Sequence, residues 1–461
     1  LNNKKAMMSW ENLLNSERLG HRPSKIEGGR SPFNSDHDKV IFSGSFRRLA
    51  RKTQVHPLAT NDHVHNRLTH SLEVASVGRT LGIAVGDALK KKGSLPSAIT
   101  PADVGDIVQT ACLAHDIGNP PFGHTGEEAI RHWFKSTEAA PFINGLNPDQ
   151  ICDLQNFEGN AQGFRVLTCS EFHPYEGGLR LTYASLAAFI KYPWTSVPAV
   201  GNRRPKTNKY GVFQADLDYF REVANATGLI SKSSDDWFCR HPLVHLMELA
   251  DDFCYALLDL EDGMDMGILS WEEVFEVLKP VLDQTKLQDL EKELARFKPG
   301  RRPPLIRGKV ISAFVDSAVK AFVENEEAIL AGQHEEILSL CDDKISTCVR
   351  AAKNLAKTKI FSHPRKIELE IGAYTTISTL MEVLCHAAVE HVTGNDQSYR
   401  SSRVLDLVGK NTFHPAVANS GANQGDRRYL ALMRIVDFVS GMTDNYATHL
   451  ARQFSGMGEV R

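Results

Sequence analysis

The sequence predicts an all-α protein, on three observations. Apolar residues recur at three- and four-residue spacing in segment after segment, helix-start signals precede these runs, and strand-like alternation is scarce. Residues 68–84, LTHSLEVASVGRTLGIA, place Leu68, Leu72, Ala75 and Ile83 in a helical rhythm. The next segment, TPADVGDIVQTACLAHD, opens on Thr100 as an N-cap with Pro101 at the first helical position. Its face is Val104, Ile107, Val108, Ala111 and Cys112, and the helix is expected to run to Asp116. Residues 241–260, 310–356, 366–391 and 427–453 show the same period. GLRLTYASLAAFIKY at 178–192 is the most ambiguous stretch. Residues 195–212, rich in Pro, Gly, Asn and Lys, read as a long loop, and FKPGRRPPLIRG at 297–308 marks a soft boundary.

Bulk composition excludes several classes. With 461 residues, 42% hydrophobic and 24% charged, the chain has an ordinary globular balance rather than a disordered one. A net charge of -3 gives no global footprint for nucleic acid or membrane. No run reaches the roughly 18 apolar residues of a membrane span. The N-terminal LNNKKAMMSWENLLNSERLG lacks the apolar core of a signal peptide. The eight cysteines form no CxxC pair, which suits reduced thiols in a cytoplasmic protein.

Chemistry concentrates where the second helix ends, in ACLAHDIGNPPFGHTGEEAI at 111–130. His115 shares a helix face with Ala111 and Cys112, so it and Asp116 are either buried polar residues with local partners or ligands. NRLTHSLEV sets Arg67 and His70 at i,i+3 on the apolar side of the preceding helix. MELADDFCYALLDLEDG sets Asp251, Tyr255 and Asp259 in one stripe down a third. Asp252 is turned about one residue away from that stripe. Two imidazoles and carboxylates from separate helices form a mixed N/O set suited to a divalent ion in a bundle core.

With FRRLARKTQV, NRLTHSLEV, HDIGNPPFGHTGEEA, NFEGNAQGFRVL, FIKYPW, KYGVF and MELADDFCYALLDLEDG in that order, the sequence resembles the HD-domain phosphohydrolases, whose ligand pattern is H…HD…D. Within them it is similar to the deoxyguanosine triphosphate triphosphohydrolase group, over residues 37–263 and again at 362–376 and 427–446. The resemblance implies an HD-domain helical bundle with additional C-terminal helices. Residues 1–36 would be an N-terminal segment, 37–296 the catalytic domain, and 297–461 a helical region packed on it.

The same resemblance implies His70, His115, Asp116 and Asp251 as ligands of one divalent ion, Mg²⁺ or Mn²⁺. His124 and Glu127 match the family's catalytic pair. Arg67, Lys191, Tyr192 and Lys209 match positions around the triphosphate, whereas Arg203, Arg204 and Lys206 read as a solvated charge run. Gln54 and Val55 match the segment against deoxyribose, and Tyr255 and Asp259 the residues facing the sugar. Asn119 departs from relatives with a second histidine there, which leaves the network around Asn160 open. The implied reaction converts a dNTP to deoxynucleoside and tripolyphosphate by water attack on the α-phosphorus. A nucleotide effector, single-stranded DNA and a homo-oligomer, a hexamer by resemblance, are the implied partners. Two other readings stay open: an HD-domain phosphodiesterase or nucleotidase, and a nucleotide- or DNA-sensing protein.

Overall fold

A computed structural model describes residues 7–20, 29–54, 65–171, 177–197, 208–233, 236–297, 302–334, 336–394, 397–409, 413 and 423–458, without the side chain of residue 365. The fold is all-α. Its principal helices are α1 (Pro32–Ile41), α2 (Arg67–Lys92), α3 (Pro101–Ala114), α4 (His124–Lys135), α5 (Gly159–Arg165), α6 (Tyr183–Phe189) and α7 (Val244–Asp265). They continue with α8 (Pro303–Glu324), α9 (Asp343–Leu355), α10 (Pro364–Thr393), α11 (Gln424–Ser440) and α12 (Asp444–Phe454). Among the described residues the one sheet is the antiparallel pair β1 (Ser231–Ser233) and β2 (Trp237–Phe238).

Local signals explain the two helices that open the site. Asn66 caps α2 by accepting from the Leu68 and Thr69 amides at 3.0 and 3.1 Å, and Thr69 returns the bond to the Asn66 amide. Gly93, at φ +79°, closes that helix behind three lysines. Thr100 and Asp103 form the same reciprocal cap on α3. Glycines let α2 and α3 touch backbone to backbone. A Cβ at Gly82 would lie 2.8 Å from the Gly105 Cα, and one at Gly86 2.8 Å from the Pro101 Cα. This close crossing sets His70 beside His115, with ring centroids 5.4 Å apart.

Several expected boundaries move. The helix expected to reach Asp116 stops at Ala114, so His115 and Asp116 sit in the turn that follows. The run 310–356 divides into α8, the short helix Glu326–Leu330, a 3-10 turn at Leu338–Leu340, and α9. Gly332, at φ +65° and packed against Cys239, lies in that break. Residues 427–453 are likewise two helices, because Thr443 caps a new start by accepting from the Tyr446 amide. The ambiguous 178–192 stretch contains α6, capped by Thr182.

Two apolar cores result. The first gathers α2, α3, α6, α7, α8 and α9 with the segment from Met8 to Leu19. The second gathers α4, α10, α11 and α12 with Leu154, Phe157, Trp194, Tyr210 and Phe213. All eight cysteines are free. Among the described residues no helix is long and apolar enough to cross a membrane.

Candidate active site

Four ligand-type side chains converge from the first core. Ligand atoms of His70, His115 and Asp116 lie within 4.8 Å of one another. Asp251 joins from α7, its Oδ1 3.1 Å from His70 Nε2 and 3.6 Å from His115 Nε2. His115 Nε2 is also 3.6 Å from Asp116 Oδ2. The His115 Nδ1–H donates to the Cys112 carbonyl at 2.6 Å, which leaves Nε2 as the nitrogen that could serve a metal. Asp252 turns away to Lys353 at 2.6 Å.

The electrostatics of this cluster are those of opposite charges compensating one another. Burial pushes Asp116 up, but Arg67 and the two imidazoles outweigh it and hold the carboxyl at about 2. Burial acts the same way on Asp251, and His115 and His70 draw it well below the usual carboxylate range. Burial disfavours charge on His70, yet Asp251 and Asp116 raise its pKa. Each group therefore depends on opposite charge among its neighbours. An octahedral ion with bonds of about 2.1 Å has ligand edges of about 3 Å, close to the spacings found here. HD domains bind divalent metals, and this donor set fits one.

The second core brings a different pair. Glu127 is buried on α4 and its Oε2 accepts from His124 Nδ1 at 2.9 Å, while the His124 side chain is 78% exposed. The Gly159 amide donates to the other Glu127 oxygen at 2.8 Å. Lys209 lies 3.5 Å from Glu127 and 3.1 Å from Glu158, and Arg131 3.0 Å from Glu158. Burial raises Glu127, but the His124 bond and the charges of Lys209 and Arg131 depress it overall. Glu158 goes the other way, pushed up by burial and by the Glu127 charge. Glu128 faces solvent and pairs with Arg131.

Arg67 joins the two sets. Its NH1 donates to Asp116 Oδ2 at 2.6 Å, and its NH2 lies 2.6 Å from where a Cβ would stand on Gly123, the residue before His124. Asn119 makes a second link, donating to Asp116 Oδ1 at 2.5 Å. Its Oδ1 lies 2.5 Å, and Glu127 Oε1 2.6 Å, from the Cβ position of Gly159, so any other residue there would have to displace them. Asn160 bonds to Glu158 at 2.6 Å.

The remaining expected residues line the surroundings. Lys191 is 3.5 Å from Glu248, whose charge overcomes burial and raises the lysine further. With Tyr192 it borders a cavity of about 390 Å³ that Trp194, Arg240 and His245 also line. The Trp194 indole donates to the Lys209 carbonyl at 2.8 Å. Tyr255 neighbours Asp259, and burial raises Asp259 to about 7. Asp259 Oδ2 and Gln54 Oε1 are buried acceptors with no donor among the described residues. Val55, Arg203, Arg204 and Lys206 lie outside the described residues.

Sequence reasoning did not single out Arg131, Glu158, Lys52 or Asp444. Arg131 had a readable signal, since it stands at i,i+4 from Glu127. Glu158 lay inside a quoted motif. Lys52 likewise lay inside the quoted FRRLARKTQV, whereas Asp444 carried no such mark.

A helical core presenting two histidines and two aspartates from two helices and the turn after a third is the architecture of an HD domain, and the HD domain family matches residues 67–146. The match extends along nearly the whole chain in full-length relatives. A protein from Pseudomonas aeruginosa named deoxyguanosinetriphosphate triphosphohydrolase-like is 46% identical over 97% of this chain and 99% of its own length. One of the same name from Synechocystis is 38% identical over 98% and 100%. A deoxyguanosinetriphosphate triphosphohydrolase from Yersinia pestis is 29% identical over 95% and 97%. The chain belongs to the deoxyguanosinetriphosphate triphosphohydrolase-like family, and it is a hydrolase.

Proposed function

We propose that this hydrolase removes the whole triphosphate from deoxynucleoside triphosphates, dGTP among them. The observation that carries the reading is the span of Arg67, from Asp116 in the ligand cluster to the turn bearing His124. It supports a reading in which a cation-holding set and an acid/base pair serve one reacting centre. His70, His115, Asp116 and Asp251 would hold a divalent ion, Mg²⁺ or Mn²⁺, which supplies charge to polarise a phosphoryl oxygen and acidify water.

The chain's own groups do the rest. Arg67, Lys191 and Lys209 neutralise the phosphates, and Tyr192 borders them. Water adds its oxygen to the α-phosphorus as the bond to the sugar 5′-oxygen breaks. The departing 5′-oxygen takes a proton, and tripolyphosphate leaves intact. His124 moves that proton, or the one from water, through Nε2, while Glu127 fixes its orientation through Nδ1. The buried acceptors of Asp259 and Gln54 suit a sugar hydroxyl and its surroundings, and Tyr255 stands beside them. Gln54 and Val55 exclude a 2′-hydroxyl by contact in this reading.

The test is incubation with each dNTP and NTP plus Mg²⁺ or Mn²⁺, with identification of the phosphate product. Tripolyphosphate carrying label from ¹⁸O-water is expected, with ribonucleotides as poor substrates. Orthophosphate or pyrophosphate as the primary product would move the attack elsewhere and end the proposal.

A further inference from the structure

Asp444 is the first residue of α12 and is buried. An acid at this position ordinarily serves its own helix, by capping or by facing the dipole. Capping here belongs to Thr443, which accepts from the Tyr446 amide at 3.3 Å. Both carboxylate oxygens of Asp444 instead reach remote segments. Oδ1 accepts from the Phe122 amide at 2.9 Å. Oδ2 accepts from the Thr53 amide at 3.0 Å and from the Thr53 hydroxyl.

Each of those two segments leads directly into a residue assigned to the site. Thr53 precedes Gln54 and forms an isolated antiparallel bridge with Asn66, which caps the helix carrying Arg67 and His70. Phe122 lies two residues before His124 at φ +64°, a strained backbone state for a non-glycine residue that persists where surroundings over-determine it. The bond to Asp444 is one such determinant. A second tie runs in parallel: Lys52 Nζ donates to the Asn119 and Ser440 carbonyls at 2.6 Å each, linking the ligand turn to the end of α11.

We propose that Asp444 is a positioning residue for the reaction, holding the Gln54 side and the His124 side of the site in one register from the α11–α12 corner. The inference rests on the function proposed above. It predicts that the carboxylate matters twice over, for rate through His124 and for sugar choice through Gln54. Asparagine keeps one acceptor and turns an NH₂ toward a donor, so it cannot satisfy both segments.

Asp444→Asn is therefore expected to lower kcat/KM for dGTP by about 10–100-fold, the scale of an ångström-sized misplacement. The dGTP-to-GTP ratio should narrow by about tenfold, because sugar selection loosens as well. A purely structural role would reduce both substrates equally and leave the ratio unchanged. Hydrogen exchange supplies a readout independent of activity: the Thr53 and Phe122 amides should exchange faster in the variant while metal occupancy holds. Thr53→Val, which removes only the hydroxyl donor, should narrow the ratio by about threefold; it decides the matter if Asp444→Asn does not fold. A wild type that releases no tripolyphosphate defeats the functional reading and leaves hydrogen exchange to judge the positioning. An active wild type whose folded variants keep both the ratio and the exchange pattern overturns the inference.

Discussion

The metal-type cluster and the His124–Glu127 pair rest on different cores. His70, His115, Asp116 and Asp251 stand on or just beyond α2, α3 and α7, which pack in the first core. His124 and Glu127 begin α4, whose apolar face of Ala129, Ile130 and Trp133 belongs to the second, with α10 and α11. In the first set His70 and Asp116 are buried, His115 and Asp251 are half-buried, and all four are mutually paired, whereas His124 is largely exposed on a buried carboxylate. A rigid multi-helix crossing suits ligands that must share one ion. A helix start behind a strained turn suits a group that meets substrate from the open side. What joins them is thin: Arg67, Asn119, Gly159 and the ties from Lys52 and Asp444.

The two regions should fail differently. Asp251→Ala has the largest expected effect: metal occupancy and turnover both disappear, as metal analysis of the dialysed protein beside an activity assay would record. Undiminished occupancy would remove Asp251 from the ligand set. His124→Ala should retain metal and melting temperature but lose about 10²–10⁴ in kcat, the usual scale for a positioned acid/base. Equal loss of metal in that variant would erase the distinction between the regions.

The seam can be probed directly. Gly159→Ala puts a methyl within 2.6 Å of both Asn119 and Glu127 oxygens. Overpacking there should cost about 1–3 kcal/mol in denaturant unfolding and lower kcat with it. Wild-type stability and rate would mean that the seam yields freely.

The smallest effect concerns Asp259, which burial raises to about 7. From pH 3.8 to about 7 the folded chain keeps a proton here that the unfolded chain has released, so this group's contribution to stability declines as pH rises. Its ability to accept from a sugar hydroxyl grows over the upper part of the same range. KM for dGTP should fall by about threefold to tenfold as pH climbs through 7, and Asp259→Asn should flatten that dependence. A 3′-deoxy analogue showing the same pH dependence would contradict the assigned contact.

Legibility followed the chemistry of the residues. His70, His115 and Asp116 could be picked out because ligand-type side chains on apolar helix faces need partners, and Asp251 stood out from Asp252 by helical phase. Glu127 was readable as half of a pair, but its burial and its bond to the Gly159 amide were not. Asp444 looked like any acid at a helix start, since nothing nearby in the chain reveals that both oxygens serve Thr53 and Phe122. The helix break between Glu324 and Asp343 was missed because apolar spacing continues across the short turns.

From composition and periodicity alone came the helical class and most of the long helices, because burying one face of a helix imposes a local repeat. Motif residues in order, through their resemblance to the HD-domain phosphohydrolases, pointed to the ligand candidates. The division into two cores, the turn that takes His115 and Asp116 off their helix, and the meeting of remote carboxylates with strained backbone were decided only in three dimensions. Those contacts join residues up to 391 positions apart, as Thr53 and Asp444 are. A local pattern carries no record of which distant donor will satisfy a buried oxygen.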